Sequence, residues 1–556
     1  MICSRVAMKR LIAGGLLLLL GAIGIFLWRQ NGNSLSASQV APADCLVYFE
    51  LPNLVQTAKR WPDAALCRIL SEPSVQHFLR QPISKTPATY QSAWGSFAAL
   101  RCSALFLGTT PPDRDRWICG LQTAVDQSTW RREIANFSKA LFGRDIKEVA
   151  PDSLEHTGID GEGAGKIVAQ IYCVRVGSWT LLSCSTELLL EAVRNSRTSS
   201  GGLQSLKLFQ ECRANVPIGY DLLTFVQGGP SLDPSDGLHW RFRGQETQRS
   251  DRAVLAVTTI VGARLRDTVF TLTGAPAKAS PLDRKGMAMT SPATVGYLAT
   301  QLGFSEIWRW CVQLSEESQL AETIRNYLGQ VKSFGIEPRD LDHLISGAEI
   351  IVDREPKADA LNAAISFQVT DPEKLRHLME QVVTEKFPDN CRKIDVAAVP
   401  AYLIQVNEKA SIVFALTERR LLISTSQSNF AELVHRLQSH APGLEADNQF
   451  KAIAKLVDEP NDLFAYLDAK AGFEKFYEVS RPMMVFGIAL MPTLNRYVDA
   501  MALPDTDDIS KHLSPIVLSR HRVANGVIDE SVGPVTAYEA VAMLLGGAWA
   551  MGLWER

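Results

Sequence analysis

The sequence predicts an α+β protein with an N-terminal transmembrane helix, followed by a tandem-duplicated body of mostly antiparallel sheets with packed helices. Three observations predict it. Residues 11–28 form an unbroken run of 18 apolar or glycine residues. Strand-like and amphipathic helical runs come in blocks rather than in regular alternation, which favours antiparallel over parallel sheets. Short landmarks recur in the same order, Pro42 with Pro292 at an offset of 250 residues and Pro217 with Pro460 at 243, which argues for duplication.

The N-terminal run, LIAGGLLLLLGAIGIFLW from Leu11 to Trp28, covers ~27 Å as a helix, close to the ~30 Å hydrocarbon core of a bilayer. Arg5, Lys9 and Arg10 precede it, and after Arg29 the next basic residue is Lys59. The positive-inside bias therefore keeps the N-terminus cytoplasmic and exports the bulk of the chain, to the periplasm in a Gram-negative cell. A cleaved signal peptide is the competing reading, with a longer apolar region than usual and a poor small-residue site at Ser34–Ser38. Residues 1–30 are thus anchor or signal. Residues 31–41, NGNSLSASQVA, are small and polar and read as a flexible tether.

The body reads as two repeats, 42–285 and 286–556, parted within Gly274–Ser291, a stretch rich in small residues and Pro. Each opens on Pro followed by β-branched and aromatic residues, which predicts a strand. The openings are Pro42–Glu50 and Pro292–Leu298, with weaker versions at Pro217–Leu222 and Pro460–Leu467. An apolar helical stripe follows: Leu54, Ala58, Trp61, Ala65 and Ile69 in the first repeat, with a break at Pro62, and Phe304, Ile307, Trp308, Cys311 and Leu314 in the second. Strand pairs come next, with tight connections near Val176-Gly177-Ser178 and Asn407-Glu408-Lys409. Amphipathic stretches at Leu188–Val193 and Phe430–Leu437 close the pattern. Strands are also expected around Val254–Ile260 and Val269–Leu272, after an exposed excursion over 228–251. The last landmark, Ala540–Trp554, is 15 residues without a charge. It is short of the ~20 needed to span, and docking on the body, lying on the membrane and crossing it all stay open.

Composition excludes several classes. Apolar residues make up 46% and charged residues 21%, values of an ordinary globular chain rather than a disordered one. A formal net charge of −3 gives no electrostatic footprint for nucleic acid. Ten cysteines include no C-x-x-C pair, which argues against structural zinc. Buried thiols are one reading of them. Bridges among Cys102, Cys119, Cys173 and Cys184 are the other, since export permits disulfides.

The motif search assigns no catalytic, cofactor-binding or metal-ligating residue. Gly161–Lys166 lacks the spacing and the Ser/Thr of a phosphate loop and reads as a glycine-rich turn. No His is followed by Glu, and no G-x-S-x-G occurs. Asp505, Asp507, Asp508 and His512 form the densest acid–His cluster. A metal is one reading; a helix start with acids at the positive end of the dipole is the other. Asp340, Asp342 and His343 read as another helix start, and Asp233 with Asp236 misses the EF-hand pattern.

PADCLVYFELPNL (Pro42–Leu54), FGIEPRDLDHLISGAEI (Phe334–Ile350) and PDTDDISKHLSP (Pro504–Pro515) together resemble a poorly characterised family of exported, membrane-anchored bacterial proteins of unknown function with repeated Pro-Ala-Asp-strand-Tyr openings. The resemblance spans roughly 42–535 and implies no catalytic residue. Thr294 stands where Asp44 does in the first opening. The expected function is a non-enzymatic binding or scaffold role in the cell envelope. A lipid- or glycan-binding protein and an envelope hydrolase are the alternatives. The expected partners are the membrane, through the N-terminal helix, and an unknown envelope protein, lipid or glycan. No nucleic acid and no cofactor is expected.

Overall fold

A computed structural model describes residues 35–84, 96, 98–110, 116–142, 146–151, 171–198, 201–227, 253–273, 281–306, 341–354, 361–386, 391–405, 411–417, 419–439, 442–490 and 502–536. The chain divides into two compact units, one of Met1–Pro52 and Thr89–Lys207, the other of Asn53–Ala88 and Leu208–Arg556.

The first unit carries β1 (Val47–Leu51), β2 (Cys102–Thr109), β3 (Trp117–Thr123), β4 (Lys147–Glu148), β5 (Tyr172–Val176) and β6 (Trp179–Ser183). Their order across the sheet is β1-β2-β3-β6-β5-β4, antiparallel except for the β4–β5 pair. Gly177, at φ +60°, begins the two-residue turn between β5 and β6. A left-handed first position is what a type II′ hairpin needs, and glycine adopts it without strain. The helix Gln127–Phe142 packs Trp130 and Ile134 onto Leu121, Cys173 and Leu182. The buried Trp130 Nε1 donates to Thr180 Oγ1 at 2.6 Å. The helix Thr186–Arg197 starts on Ser185, whose hydroxyl accepts from Leu188 N, and it buries Leu188, Leu189, Ala192 and Val193 on one stripe. Cys102, Cys119 and Cys173 form no disulfide. Burial pushes the Cys102 thiol up to about 11 and the other two to about 12. Residues 35–41, expected as a flexible tether, are packed: Val40 and Ala41 are fully buried, and Trp179 Nε1 donates to Leu35 O.

The second unit holds β7 (Leu222–Gln227), β8 (Ala253–Val261), β9 (Arg264–Leu272), β10 (Thr294–Thr300), β11 (Ile345–Arg354), β12 (Leu361–Val369), β13 (Cys391–Val396), β14 (Val399–Gln405), β15 (Ser411–Leu416), β16 (Arg420–Ser424), β17 (Leu463–Leu467), β18 (Ile516–Val523) and β19 (Gly526–Gly533). They form one antiparallel sheet in the order β7-β8-β9-β19-β18-β17-β10-β11-β12-β16-β15-β14-β13. The helix Gln427–Ser439 lays Phe430, Leu433 and Val434 on its inner face, against Tyr297, Phe450, Phe464 and Val517.

These pairings correct the expected α+β class, a tandem-duplicated body of mostly antiparallel sheets with packed helices. The organising element is a large strand sheet that runs through the expected junction. β9, from the first expected repeat, pairs over its last eight residues, Leu265–Leu272, with the whole of β19 near the end of the second. Met287 and Met289, in the segment expected to part the repeats, are buried in the core. The physical reason is that strand pairing is a long-range choice, whereas periodicity reports only local conformation. No helix among the described residues is long and apolar enough to cross a membrane. Leu11–Trp28 and Ala540–Trp554 lie outside the described residues, as do 161–166, 233–236 and 407–409.

The stripe from Leu54 to Ile69 forms two short helices broken at Pro62, yet only Ala65 of its five residues is buried. Its anchor is polar. Asp221 accepts from Thr57 Oγ1 (2.9 Å), Arg60 Nη1 (3.2 Å) and Ile260 N (2.8 Å). Of the second stripe only Phe304 is described, edge-on to Phe367.

Candidate functional site

In the second unit, a cleft of about 230 Å³ opens where the last residue of β10 meets the start of β11 and the end of β12; Asp283, Gln301, Ser346, Glu349, Ser366 and Gln368 are among its lining residues. A bulge between Ser346 and Ala348, with Gly347 at φ +59°, interrupts the β11–β12 ladder at its rim. Strand alternation puts Glu349 on the inner face, opposite Ser366.

Glu349 is buried and fully matched. Its Oε1 accepts from Arg420 Nη1 at 2.7 Å and from Gly286 N at 2.9 Å, and its Oε2 accepts from the Tyr297 hydroxyl. A side chain on Gly286 would collide with that carboxylate. Burial, and then the adjacent carboxylate, push the Tyr297 phenol far up, so it stays a donor. Arg420 also reaches Ser366 Oγ at 3.0 Å and Asp283 Oδ2 at 3.5 Å. Asp283 accepts from Gln368 Nε2 and from Lys285 N. A second buried pair lies on the same sheet: Arg436 Nη1 to Asp353 Oδ2 at 2.8 Å, with Thr294 Oγ1 donating to Asp353 Oδ1. Sequence reasoning passed over these residues. The available signal was ISGAEIIVD, where Glu349 and Asp353 are set four residues apart, and so on one face, in a mostly apolar strand.

The acid–His cluster takes another form. Thr506–Ser510 is a single short helix with Asp505 at its N-cap and Asp507 and Asp508 in its first turn. His512 lies beyond the helix, so it shares no helix face with Asp508. It meets Glu72 instead, with 2.6 Å between Nε2 and Oε1. Lys511 Nζ holds the other Glu72 oxygen at 2.9 Å, and Ser74 donates to Asp508. Hydrogen bonds from His512, then Lys511, hold the Glu72 carboxyl below the usual carboxylate range. Asp342 caps another segment, accepting from Ser305 N at 2.9 Å and from the Ser305 hydroxyl. Among the described residues, no three His, Cys, Asp or Glu side chains gather as a metal set.

No family model and no curated protein matches the chain. Among solved structures, the chain is similar to crystal form I of TP0453 at 12% identity, over 49% of this chain and 87% of that one, with a TM-score of 0.24. A likeness that weak carries no argument about fold or function.

Proposed function

We propose that the protein is a membrane-anchored, extracytoplasmic binding or scaffold protein of the cell envelope. The observation that supports this reading is the way charge is used at the cleft. Arg420, Glu349, Asp283 and Gln368 are bonded to one another, and a guanidinium fixed between two carboxylates is an organising element of a fold rather than a poised acid or base. The run from Leu11 to Trp28 supports the membrane address.

The test is native mass spectrometry of the full chain, extracted gently from its own membrane through a C-terminal tag. A stoichiometric protein partner is the expected result. A bound lipid or glycan without a protein partner turns the reading to ligand binding. Turnover of an envelope substrate by the purified protein, abolished by one point substitution, overturns it. The intact mass also reports whether residues 1–30 are retained.

A further inference from the structure

Among the described residues, β13 is the terminal strand of the second unit's sheet and pairs with β14 alone. Its sequence is Cys391-Arg392-Lys393-Ile394-Asp395-Val396, with Arg392, Lys393 and Asp395 exposed. Val396 and Val399 close the hairpin around Ala397 and Ala398. In a two-residue hairpin that closing pair exchanges both backbone hydrogen bonds, so Val396, Ile394 and Arg392 turn their N–H and C=O groups toward β14. Asp395, Lys393 and Cys391 turn theirs to the open edge. An open edge is a template for another strand.

We propose that this edge pairs with the same edge of a second copy of the chain, antiparallel and centred on Ile394. Charge selects the partner and the register. In a continuous antiparallel sheet a two-fold axis must pass midway between a residue and its own copy, because facing side chains lie on the same face. Centring on Lys393 sets lysine against lysine, and centring on Asp395 sets aspartate against aspartate. Centring on Ile394 sets Lys393 against the second copy's Asp395, and the reverse, on one face, with the two isoleucines meeting on the other. Both charged residues carry edge-facing backbone groups, so the register also closes hydrogen-bonded pairs. Lys393, whose Nζ lies 5.6 Å from the Tyr402 ring, is already on the face where the pair forms.

The test uses the full chain in mild detergent, by light scattering and by oxidative cross-linking. Opposed residues of a non-hydrogen-bonded pair have Cα atoms ~4.5 Å apart, within disulfide reach. Ile394→Cys is therefore expected to give a covalent dimer on non-reducing gels, above the background of the native cysteines. Lys393→Asp or Asp395→Lys alone is expected to weaken association about tenfold, and the double exchange to restore it. A monomer at high micromolar concentration overturns the proposal. So does a dimer that Ile394→Cys fails to lock and the double exchange fails to rescue. If Ile394→Cys disturbs folding, the charge exchange decides alone.

Discussion

The runs β1-β2-β3-β6-β5 and β10-β11-β12-β16-β15 share one order of neighbours and begin alike, with a buried tyrosine bonded to a carboxylate. Tyr48 donates to Glu50, two residues along its own strand, at 2.9 Å. Tyr297 donates to Glu349 on the adjacent strand. Beyond that tyrosine the two regions diverge. The first packs Trp130, Leu121, Cys173 and Leu182 together and satisfies the indole with Thr180. The second brings in guanidinium groups, Arg420 to Glu349 and Arg436 to Asp353. One topology thus accommodates both an apolar, thiol-lined interior and an apolar interior with matched ions set beside it. The regions should fail differently: the first by leaving a cavity, the second by stranding a charge.

Three sets of substitutions, at the buried ions, at the hairpin turns and at a raised carboxyl, test how the two regions differ. Arg420→Ala leaves Glu349 buried without its cation and should destabilise the second unit by about 3–5 kcal/mol. Urea unfolding followed by a probe in each unit checks this; an equal loss in the first unit would dissolve the distinction. Next come the hairpin turns. Where β5–β6 uses Gly177, β13–β14 places Ala397 at φ 51° and Ala398 at φ 62°, a type I′ turn built from residues that resist it. The double change Ala397→Asn, Ala398→Gly should stabilise by about 1 kcal/mol, read as a rise in the urea midpoint, whereas Gly177→Ala should lower it. The smallest effect concerns pH. Burial, then Asp44, raise the Glu191 carboxyl above its usual 4.5. A raised carboxyl costs stability while ionised and regains it on protonation, so stability from this group is lost as pH rises through the folded value. Glu72 has the opposite sign: its contribution is present above the usual value of 4.5 and lost as pH falls through the lowered folded one. Glu191→Gln should therefore raise stability at pH 7 and flatten the gain seen on mild acidification. A thermal melt series that keeps that gain would assign it to another group.

Local conformation was legible and pairing was not. Prolines at 42, 217, 292 and 460 do precede strands, β1, β7, β10 and β17. Pro62 does break its helix, and Gly177 does turn a hairpin. Each of these follows from a few neighbouring residues. Arg420 lies 71 residues from Glu349, and His512 lies 440 from Glu72. Nothing in a short window ties such partners together. The same limit explains the corrected fold class, since blocks of strands and helices look alike whether their sheets stay separate or merge. The Leu54–Ile69 stripe shows that spacing fixes a face but not its depth, because tertiary placement decides what that face meets.

The β9–β19 pairing also bears on biosynthesis. During synthesis β9 emerges about 260 residues before its partner. Until then one side of a nine-residue strand with a long buried stretch has no ladder to complete. Contacts of such separation form late and slowly, and unpaired edges invite wrong partners. The second unit's sheet therefore cannot close behind the ribosome piece by piece. Its completion waits for β19, and the unfinished edge of β9 is where a holding chaperone would do most for this chain.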